Sequence, residues 1–282
     1  MSKKKNKLVK PFVKWAGGKR QILAEIKKYM PDKFSTYYEP FVGGGAVLLD
    51  LQPKKAVIND INPHLINVYR VIKNDVEALI SDLKTHKNEE DYYYKIRKKD
   101  RTDEFEKMSA VEKASRILYL NKTCFNGLFR VNSNGEFNVP FGNYKNPNIV
   151  NEPVLRAVSS YLNKNNIRIL NVDFEEAVKG MRKQAFVYFD PPYHPISDSS
   201  SFTGYTLDGF DKEDQIRLKK LCDKLNQRDC RFLLSNSGAK FIQELYDEGD
   251  YIIETVGAKR SINSDGDKRG EVEEVLVRNF DL

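Results

Sequence analysis

Short apolar runs alternate along the chain with longer segments in which apolar residues recur every three or four positions. The apolar runs at residues 56–59, 167–172, 185–189 and 232–236 predict buried strands, because each is short and bounded by polar residues. An alternating run at residues 272–279 predicts a further strand. Strands that alternate with helices are typical of an α/β fold with a largely parallel sheet.

Segments with helical spacing of apolar residues separate these strands. They lie at residues 21–29, 46–51, 62–83, 109–120, 152–163 and 214–225. From about residue 84 the chain becomes charged and rich in tyrosine, and it is then irregular, aromatic and rich in asparagine up to residue 147. Because this stretch interrupts an otherwise regular α/β pattern, we predict a discontinuous main domain, residues 1–75 and 165–282, with an inserted domain of residues 76–164.

The inserted domain has the composition of a nucleic-acid-binding segment. Asn134-Gly135, between aromatic and β-branched residues, predicts the turn of a β-hairpin. The surrounding segment carries four basic residues and one acid, namely Arg116, Lys122, Arg130, Lys145 and Glu136. Amide side chains suit base edges, aromatic and leucine side chains can wedge into an opened base stack, and arginine suits guanine. These features favour nucleic-acid binding over the alternative, a structural hairpin whose asparagines only form turns.

The run at residues 185–189 ends at Asp190-Pro191-Pro192-Tyr193, where proline must end the strand. The Asp190 carboxylate is therefore predicted at the carboxyl edge of the sheet, where open α/β folds bind ligands. The Asp190 carboxylate and the Pro191 carbonyl could accept both N–H bonds of a nucleobase amine and so free its lone pair for attack. Tyr193 could stack on an extruded base. The alternative is a strand end followed by a structural turn.

Two glycine turns and two further carboxylates extend this candidate site. Gly17-Gly18-Lys19 could hold an anion or a carboxylate, although it lacks the spacing of an ATP-binding phosphate loop. Gly43-Gly44-Gly45 follows a predicted strand, and Asp60 ends the next strand, as in folds where such a carboxylate accepts ribose hydroxyls. Asp173 either contacts an adenine amine or caps the following helix. The polar loops at residues 197–210 and 258–270 are predicted as a lid and as a contact to the phosphate backbone.

Composition narrows the class of protein without deciding it. The formal net charge of +7 suits a polyanion-binding protein, although a basic metabolic enzyme would also fit. Three cysteines without a C-x-x-C pair predict reduced thiols. Neither a membrane-spanning apolar run nor a secretory signal is recognisable, so we expect a cytoplasmic protein.

The chain resembles the Dam family of DNA adenine-N6 methyltransferases over about residues 11 to 280. Five motifs carry the resemblance and occur in the order of the family's alpha group: Lys14–Lys19, Tyr38–Phe41, Phe125–Leu128, Phe137–Pro140 and Asp190–Tyr193. The resemblance is strongest to the GATC-specific type found in restriction–modification systems. It implies that residues 1–75 and 165–282 form the catalytic domain, a Rossmann-like S-adenosylmethionine-dependent methyltransferase sheet. Residues 76–164 would be an inserted, mainly helical target-recognition domain that contains the β-hairpin.

The resemblance also implies roles for individual residues. The S-adenosylmethionine pocket would be lined by Trp15, Ala16, Gly17, Lys19, Glu39, Pro40, Phe41, Gly43, Gly45, Asp60, Ile61, Asp173, Phe174 and Asp190. Asp190, Pro191, Pro192 and Tyr193 would be catalytic. Double-stranded DNA would be contacted by Lys14, Phe125, Asn126, Gly127, Leu128, Arg130, Asn138, Pro140, Asn143, Tyr144 and Lys145. Phe125 and Asn126 would wedge into the duplex, while Leu128, Arg130 and Pro140 would read GATC, with Lys14 near a guanine. Asn143 stands where some members carry arginine, which puts one phosphate contact in doubt.

The implied reaction is base flipping followed by direct in-line methyl transfer to adenine N6, with neither a metal nor a covalent enzyme intermediate. Cytosine-C5 methylation is disfavoured because the chain has no Pro-Cys pair. Methylation of cytosine N4 or of adenine in RNA would use the same Asp190–Tyr193 motif, and a regulator that binds DNA without methylating it is a further alternative. We expect a monomer of bacterial or phage type. A functional pairing with a restriction endonuclease, without a stable complex, and a solitary methyltransferase both stay open.

Overall fold

Seven strands form one mixed sheet in the computed structural model, which describes residues 5–196, 209–247, 251–259 and 271–282. In chain order they are β1 (Tyr37–Glu39), β2 (Lys55–Asn59), β3 (Asn166–Leu170), β4 (Phe186–Phe189), β5 (Arg231–Ser237), β6 (Ile252–Lys259) and β7 (Glu271–Arg278). Their order across the sheet is β3-β2-β1-β4-β5-β7-β6. The first five strands in that order are parallel, whereas β7 is antiparallel to both neighbours. The predicted α/β fold with a largely parallel sheet is confirmed.

The helices of the described chain cover the sheet and build the region between β2 and β3. They are α1 (Leu23–Lys28), α2 (Ala46–Leu51), α3 (Pro63–Asn74), α4 (Val76–Leu83), α5 (Glu90–Lys98), α6 (Glu104–Lys107), α7 (Ala110–Thr123), α8 (Glu152–Lys164), α9 (Phe174–Ala177), α10 (Lys212–Gln227) and α11 (Lys240–Asp247). Two of the longer helices begin at capping boxes, with Ser109 preceding α7 and Asp211 preceding α10. These caps satisfy backbone N–H groups that a helix start would otherwise leave without partners.

The chain reverses its direction of travel across the sheet between β1 and β4. From β1 it moves outward to β2 and β3, and it then returns to the other side of β1 to form β4 and β5. In open α/β sheets, such a switch point opens a crevice at the carboxyl ends of the two central strands. Residues that follow β1 and β4 are therefore placed for ligand binding.

The side chains of β4 alternate between two buried clusters, one on each face of the sheet. Phe186 and Tyr188 join a cluster with helices α3, α4, α7 and α8, whereas Val187 and Phe189 join a cluster with α10 and α11. The first cluster also includes Ile117 of α7, so the core beneath the sheet continues into the region between β2 and β3.

Three local predictions need correction. The helix predicted over residues 62–83 is divided into α3 and α4 at Asp75, which has non-helical backbone angles (φ −137°, ψ 41°). The predicted β-hairpin is reduced to two isolated bridges, Cys124 with Phe141 and Val131 with Phe137. Around its turn, the Asn132 side chain accepts from the N–H groups of residues 134 and 136, while backbone hydrogen bonds join Asn132 to Glu136 and Asn138 to Arg130. Finally, the helix predicted over residues 21–29 is shorter, because α1 spans only Leu23–Lys28 and does not follow the Gly17-Gly18 turn directly.

No helix in the described ranges is long and apolar enough to span a membrane. The three cysteines are free, and all three are buried. The loops predicted as a lid and as a phosphate contact fall mostly outside the described residues, at 197–208 and 260–270.

Candidate active site

Asp190 follows β4 directly and forms an ion pair with Lys19. The Lys19 Nζ atom lies 2.8 Å from Oδ1 of Asp190 and donates to the Gly17 carbonyl at 2.7 Å. Only 5% of the Lys19 side chain is exposed, so these charges meet where little water reaches. Burial raises the pKa of the Asp190 carboxyl, and the nearby Lys19 ammonium opposes this effect. The carboxyl edge of the sheet thus presents a hydrogen-bond acceptor whose charge is balanced by Lys19.

The Tyr193 ring covers the Lys19 ammonium, with Nζ 4.3 Å from the ring centroid. The Tyr193 hydroxyl donates to Oε2 of Glu274 on β7 at 2.7 Å. Burial, followed by the charges of Asp190 and Glu274, raises the pKa of Tyr193 well above its ordinary value, so the hydroxyl remains a donor. The Tyr193 ring is therefore fixed at both ends, by the Asp190–Tyr193 turn and by the hydrogen bond of its hydroxyl.

Polar side chains of β5 and α10 hold the Asp190–Tyr193 turn. The Ser235 hydroxyl donates to Oδ1 of Asp190 at 3.1 Å, and Gln215 donates to the Pro192 carbonyl at 2.9 Å. The Pro191 carbonyl receives no hydrogen bond from any residue in the described ranges. The turn is thus fixed while the carbonyl predicted to contact substrate keeps its acceptor capacity.

Asp60, which follows β2, forms a second carboxylate at the same sheet edge. Its Oδ2 accepts from the Gly43 N–H at 3.0 Å and its Oδ1 accepts from the Asn62 N–H at 2.9 Å. Burial raises the pKa of Asp60 to about 6, although both backbone bonds act to lower it. Because a carboxylate oxygen can accept more than one bond, Asp60 retains capacity for the hydroxyls of a ligand.

The turn between β1 and α2 depends on glycine. Gly43 and Gly45 have φ values of +49° and +70°, which strain residues with a side chain. A Cβ atom on Gly45 would lie 2.5 Å from the Tyr69 hydroxyl. The backbone can therefore turn closely beside Asp60 only because these positions lack side chains.

Asn59, the last residue of β2, joins the turns that follow β1 and β3. Its amide donates to the Pro40 and Val172 carbonyls, both at 3.0 Å, and its oxygen accepts from the Val172 N–H at 2.9 Å. The side chain is 1% exposed. One buried amide thus connects three neighbouring loops of the site.

Apolar side chains border Asp60. The Phe41 ring packs against Phe174 at 5.4 Å and against Phe210 at 5.6 Å between centroids. Ile61 and Val172 remain 55% and 37% exposed. A carboxylate beside exposed apolar surface offers acceptors for hydroxyl groups and an apolar face for a planar ring, which are features of a nucleoside-binding site.

Lys14 and the segment 124–145 form one surface, which we call the recognition surface. The Asn121 side chain ties them together by binding the backbone of Lys14 and the Gly127 carbonyl. The Lys14 Nζ atom also lies 5.3 Å from the centroid of the Tyr144 ring. The first and third predicted motifs therefore meet in space.

Within the recognition surface, Phe125 is 52% exposed and its N–H donates to the Pro140 carbonyl at 2.9 Å. Nε of Arg130 donates to Oδ1 of Asn138 at 2.7 Å. The remaining predicted contacts that are exposed or half-buried are Asn126, Leu128, Asn143 and Lys145. Gly127, by contrast, is buried, so this predicted contact does not present a side to DNA in the structure.

The family model for D12 class N6 adenine-specific DNA methyltransferases matches residues 15–262. The chain belongs to this family. It is 47% identical to the type II methyltransferase M1.LlaDCHI of Lactococcus lactis subsp. cremoris over 98% of both chains. It is 45% identical to the type II methyltransferase M.MjaIII of Methanocaldococcus jannaschii over 96% of this chain and 99% of the relative. It is 33% identical to the DNA adenine methylase of Escherichia coli K12 over 94% of both chains.

Among solved structures, the precorrin 8w decarboxylase of Methanobacterium thermoautotrophicum covers 92% of this chain and 89% of its own, with 10% identity. Its TM-score of 0.36 is too low to establish a common fold. The mixed seven-stranded sheet is consistent with the fold of S-adenosylmethionine-dependent methyltransferases, as expected for a member of the D12 family. Members of this family act on adenine in DNA and generally use S-adenosylmethionine.

Not every residue predicted to line the cofactor pocket of this D12 methyltransferase is free for a ligand. Asp173 caps α9 by accepting from the Glu175 N–H at 2.9 Å and pairs with Arg217 at 3.2 Å. The capping interpretation is confirmed, while contact with an adenine amine stays a prediction. Glu39 is buried and accepts from the Tyr37 hydroxyl, and burial raises its pKa well above the ordinary value. Trp15 stacks on Phe129 with centroids 5.0 Å apart.

Four polar residues that hold the Asp190–Tyr193 turn, namely Gln215, Ser235, Asn236 and Glu274, were not singled out from the sequence. Ser235 and Asn236 end the apolar run of β5, a signal that matches Asp190 at the end of β4 and could have identified them. Asn236 donates to Gln215, which supports the Pro192 carbonyl. Glu274 gave no such signal, because its place at the site depends on the antiparallel insertion of β7 beside β5.

Proposed function

We propose that this chain transfers a methyl group from S-adenosylmethionine to adenine N6 within GATC in double-stranded DNA, after the adenine has left the base stack. The observation that carries the proposal is the pairing of a fixed carboxylate, Asp190, with a fixed aromatic ring, Tyr193, at the switch point of the sheet. An extruded adenine needs an acceptor for its amine and a surface for its ring.

The protein's part in the reaction is to hold the amine and increase its nucleophilicity. S-adenosylmethionine supplies an electrophilic methyl group on a sulfonium. Asp190 accepts one amine N–H and the Pro191 carbonyl accepts the other, which stabilises the positive charge that develops on nitrogen. Because Lys19 already binds Oδ1 of Asp190, the amine uses the second carboxylate oxygen or displaces Lys19.

The recognition surface supports GATC as the target. Arg130 presents a guanidinium suited to guanine, and the half-buried Leu128 and exposed Pro140 offer apolar contact for a thymine methyl group. Phe125 is exposed and apolar, as a wedge in an opened duplex must be. We propose residues 76–164 as the target-recognition region.

Two relatives at 45–47% identity are named type II methyltransferases. This supports a place for the chain in a restriction–modification system, where methylation protects DNA from a partner endonuclease. The proposal requires no stable complex with that endonuclease.

The proposal is tested by methylating an unmethylated plasmid and digesting it with two GATC-cutting enzymes, one blocked by adenine methylation and one dependent on it. We expect the first enzyme to stop cutting the treated plasmid and the second to start. Plasmid treated with the Asp190→Ala variant should show neither change. Asp229→Asn, which alters an exposed ion pair with Lys183, is the control and should behave as wild type.

Nucleoside mass spectrometry of the same DNA separates the alternatives. N6-methyladenine without a change in either digestion would refute GATC alone, and N4-methylcytosine would refute the adenine assignment. DNA binding without methyl incorporation would favour a regulator.

A further inference from the structure

A buried ion pair lies behind the recognition surface. Nη2 of Arg116, on α7, is 2.8 Å from Oδ2 of Asp100, and the two side chains are 2% and 9% exposed. Arg116 also donates to the Ile96 and Arg97 carbonyls at 2.9 and 2.7 Å, at the end of α5. Because a buried charge is stable only with its partners in place, this geometry is fixed.

Asp100 also binds the backbone of the segment that forms the recognition surface. Its Oδ2 also accepts from the Phe137 N–H at 2.7 Å, and neighbouring Arg101 donates to the Phe137 carbonyl at 3.0 Å. Two residues later, the Val139 carbonyl accepts from the Tyr93 hydroxyl at 2.8 Å. The backbone on both sides of residue 138 is therefore held from behind.

Asn138 connects this anchored backbone to Arg130. Its Oδ1 accepts from Nε of Arg130 at 2.7 Å, and its N–H donates to the Arg130 carbonyl at 3.1 Å. Nη2 of Arg130 also donates to the Asn138 carbonyl, at 3.5 Å. Because each terminal nitrogen carries two N–H bonds, the guanidinium keeps donors on the side away from Asn138 that can meet a base. Paired hydrogen bonds from arginine to guanine depend on that orientation.

We propose that Asp100 is a positioning residue for sequence discrimination, which acts through the Phe137 backbone and Asn138 to orient Arg130 toward the outer base pair of the target. The inference rests on the proposed reading of GATC by Arg130. It assigns to the buried ion pair a role in choosing the site, beyond holding the helices together.

The test compares kcat/KM on three duplexes. One carries a single GATC site, the second has the outer G·C pair of that site replaced, and the third has an inner A·T pair replaced. We expect Asp100→Asn and Asn138→Ala each to lower discrimination at the outer pair about tenfold, as one good base contact is lost. Discrimination at the inner pair should be unchanged. Adding Asp100→Asn to Arg130→Ala should cause no further loss, because both changes remove the same contact.

Glu77→Gln is the matched control, since it breaks an exposed ion pair with Arg156 elsewhere in the same region. Asn138→Ala carries the test if Asp100→Asn does not fold, because residue 138 is only half-buried. An equal loss on all duplexes, or an additive double variant, would show a merely structural role. If the wild-type protein shows no preference at the outer pair, the GATC proposal is overturned and this inference with it. If the wild-type preference persists in both Asp100→Asn and Asn138→Ala, the inference alone is overturned.

Discussion

Asp60 shows how one residue's surroundings set the conditions under which a cofactor can bind. Burial raises the pKa of its carboxyl from 3.8 to about 6, against the lowering effect of two backbone N–H groups. Only the ionised form accepts hydrogen bonds through both oxygens. The proposed ribose contact therefore titrates close to neutral pH.

We predict that affinity for S-adenosylmethionine falls about tenfold from pH 7.5 to pH 5, where about one tenth of Asp60 is ionised. Isothermal titration calorimetry across this range would measure the change, with Asp60→Asn as the comparison. The variant should bind weakly but with little pH dependence. Parallel pH profiles for both proteins would contradict the assignment.

Loss of binding in acid should not be mistaken for unfolding caused by this residue. Because the folded pKa of Asp60 lies above its unfolded value, protonation stabilises the fold as pH falls through about 6. The contribution is complete below 3.8 and is lost as pH rises. A melting curve recorded at each pH separates the two effects.

The site residues that could be predicted from the sequence are carboxylates at the ends of parallel strands. Asp60 and Asp190 could be placed because each ends an apolar run, and all parallel strands end at one edge. The ion pair between Lys19 and Asp190 could not, since the two residues are far apart in sequence and only folding brings them together. Motif resemblance placed both in one pocket without showing this contact.

Among the elements of the recognition surface, the short 3₁₀ turn Phe125–Gly127 is held in an uncommon backbone conformation. Asn126 and Gly127 have φ values of +56° and +65°. The Gly127 backbone lies directly against the Lys14 side chain, so a Cβ there would be 2.4 Å from Cδ of Lys14. The turn can present Phe125 and Lys14 together only with glycine at this position.

We predict that Gly127→Ala weakens binding of a GATC duplex at least tenfold and leaves S-adenosylmethionine affinity unchanged, because it displaces Lys14 and strains the turn. Fluorescence anisotropy with a labelled duplex would measure the first quantity and calorimetry the second. Gly180→Ala is the control, since Gly180 has φ +78° but a Cβ atom there would meet nothing within 4 Å. Equal losses in both variants would indicate backbone strain alone.

Elements were predictable where the pattern was strong. The helices α7, α8 and α10 and the strands β2, β4 and β5 have regular apolar spacing or buried runs. The strand β6 and the helices α5 and α11 were missed, because charged and polar residues mask their apolar positions. The break at Asp75 was also missed, since apolar spacing continues across it.

For the molecule as a whole, the continuous core qualifies the predicted division into two domains. Ile117 and Val158, within the predicted insertion, belong to the same buried cluster as Tyr37 and Phe186 of the sheet. Helices α7 and α8 pack directly on α3 and α4. The proposed recognition region therefore shares its hydrophobic core with the sheet.

We predict a single cooperative unfolding transition, because neither part can unfold without exposing the core of the other. Trp15, the only tryptophan in the sequence, stacks on Phe129 of the recognition surface. Its fluorescence and far-ultraviolet circular dichroism should therefore give the same urea midpoint. Separate midpoints, or two calorimetric peaks, would show that the two parts unfold independently.

The buried Asn59 amide has a consequence for the thermodynamics of cofactor binding. Asn59 joins the turns after β1 and β3, so these loops lose their conformational entropy when the protein folds and not when a ligand binds. An arriving ligand meets loops whose conformational entropy is already low, so little of its interaction energy is used to order them. Ligand binding at this edge therefore costs little loop entropy, because folding of the sheet has already ordered the loops.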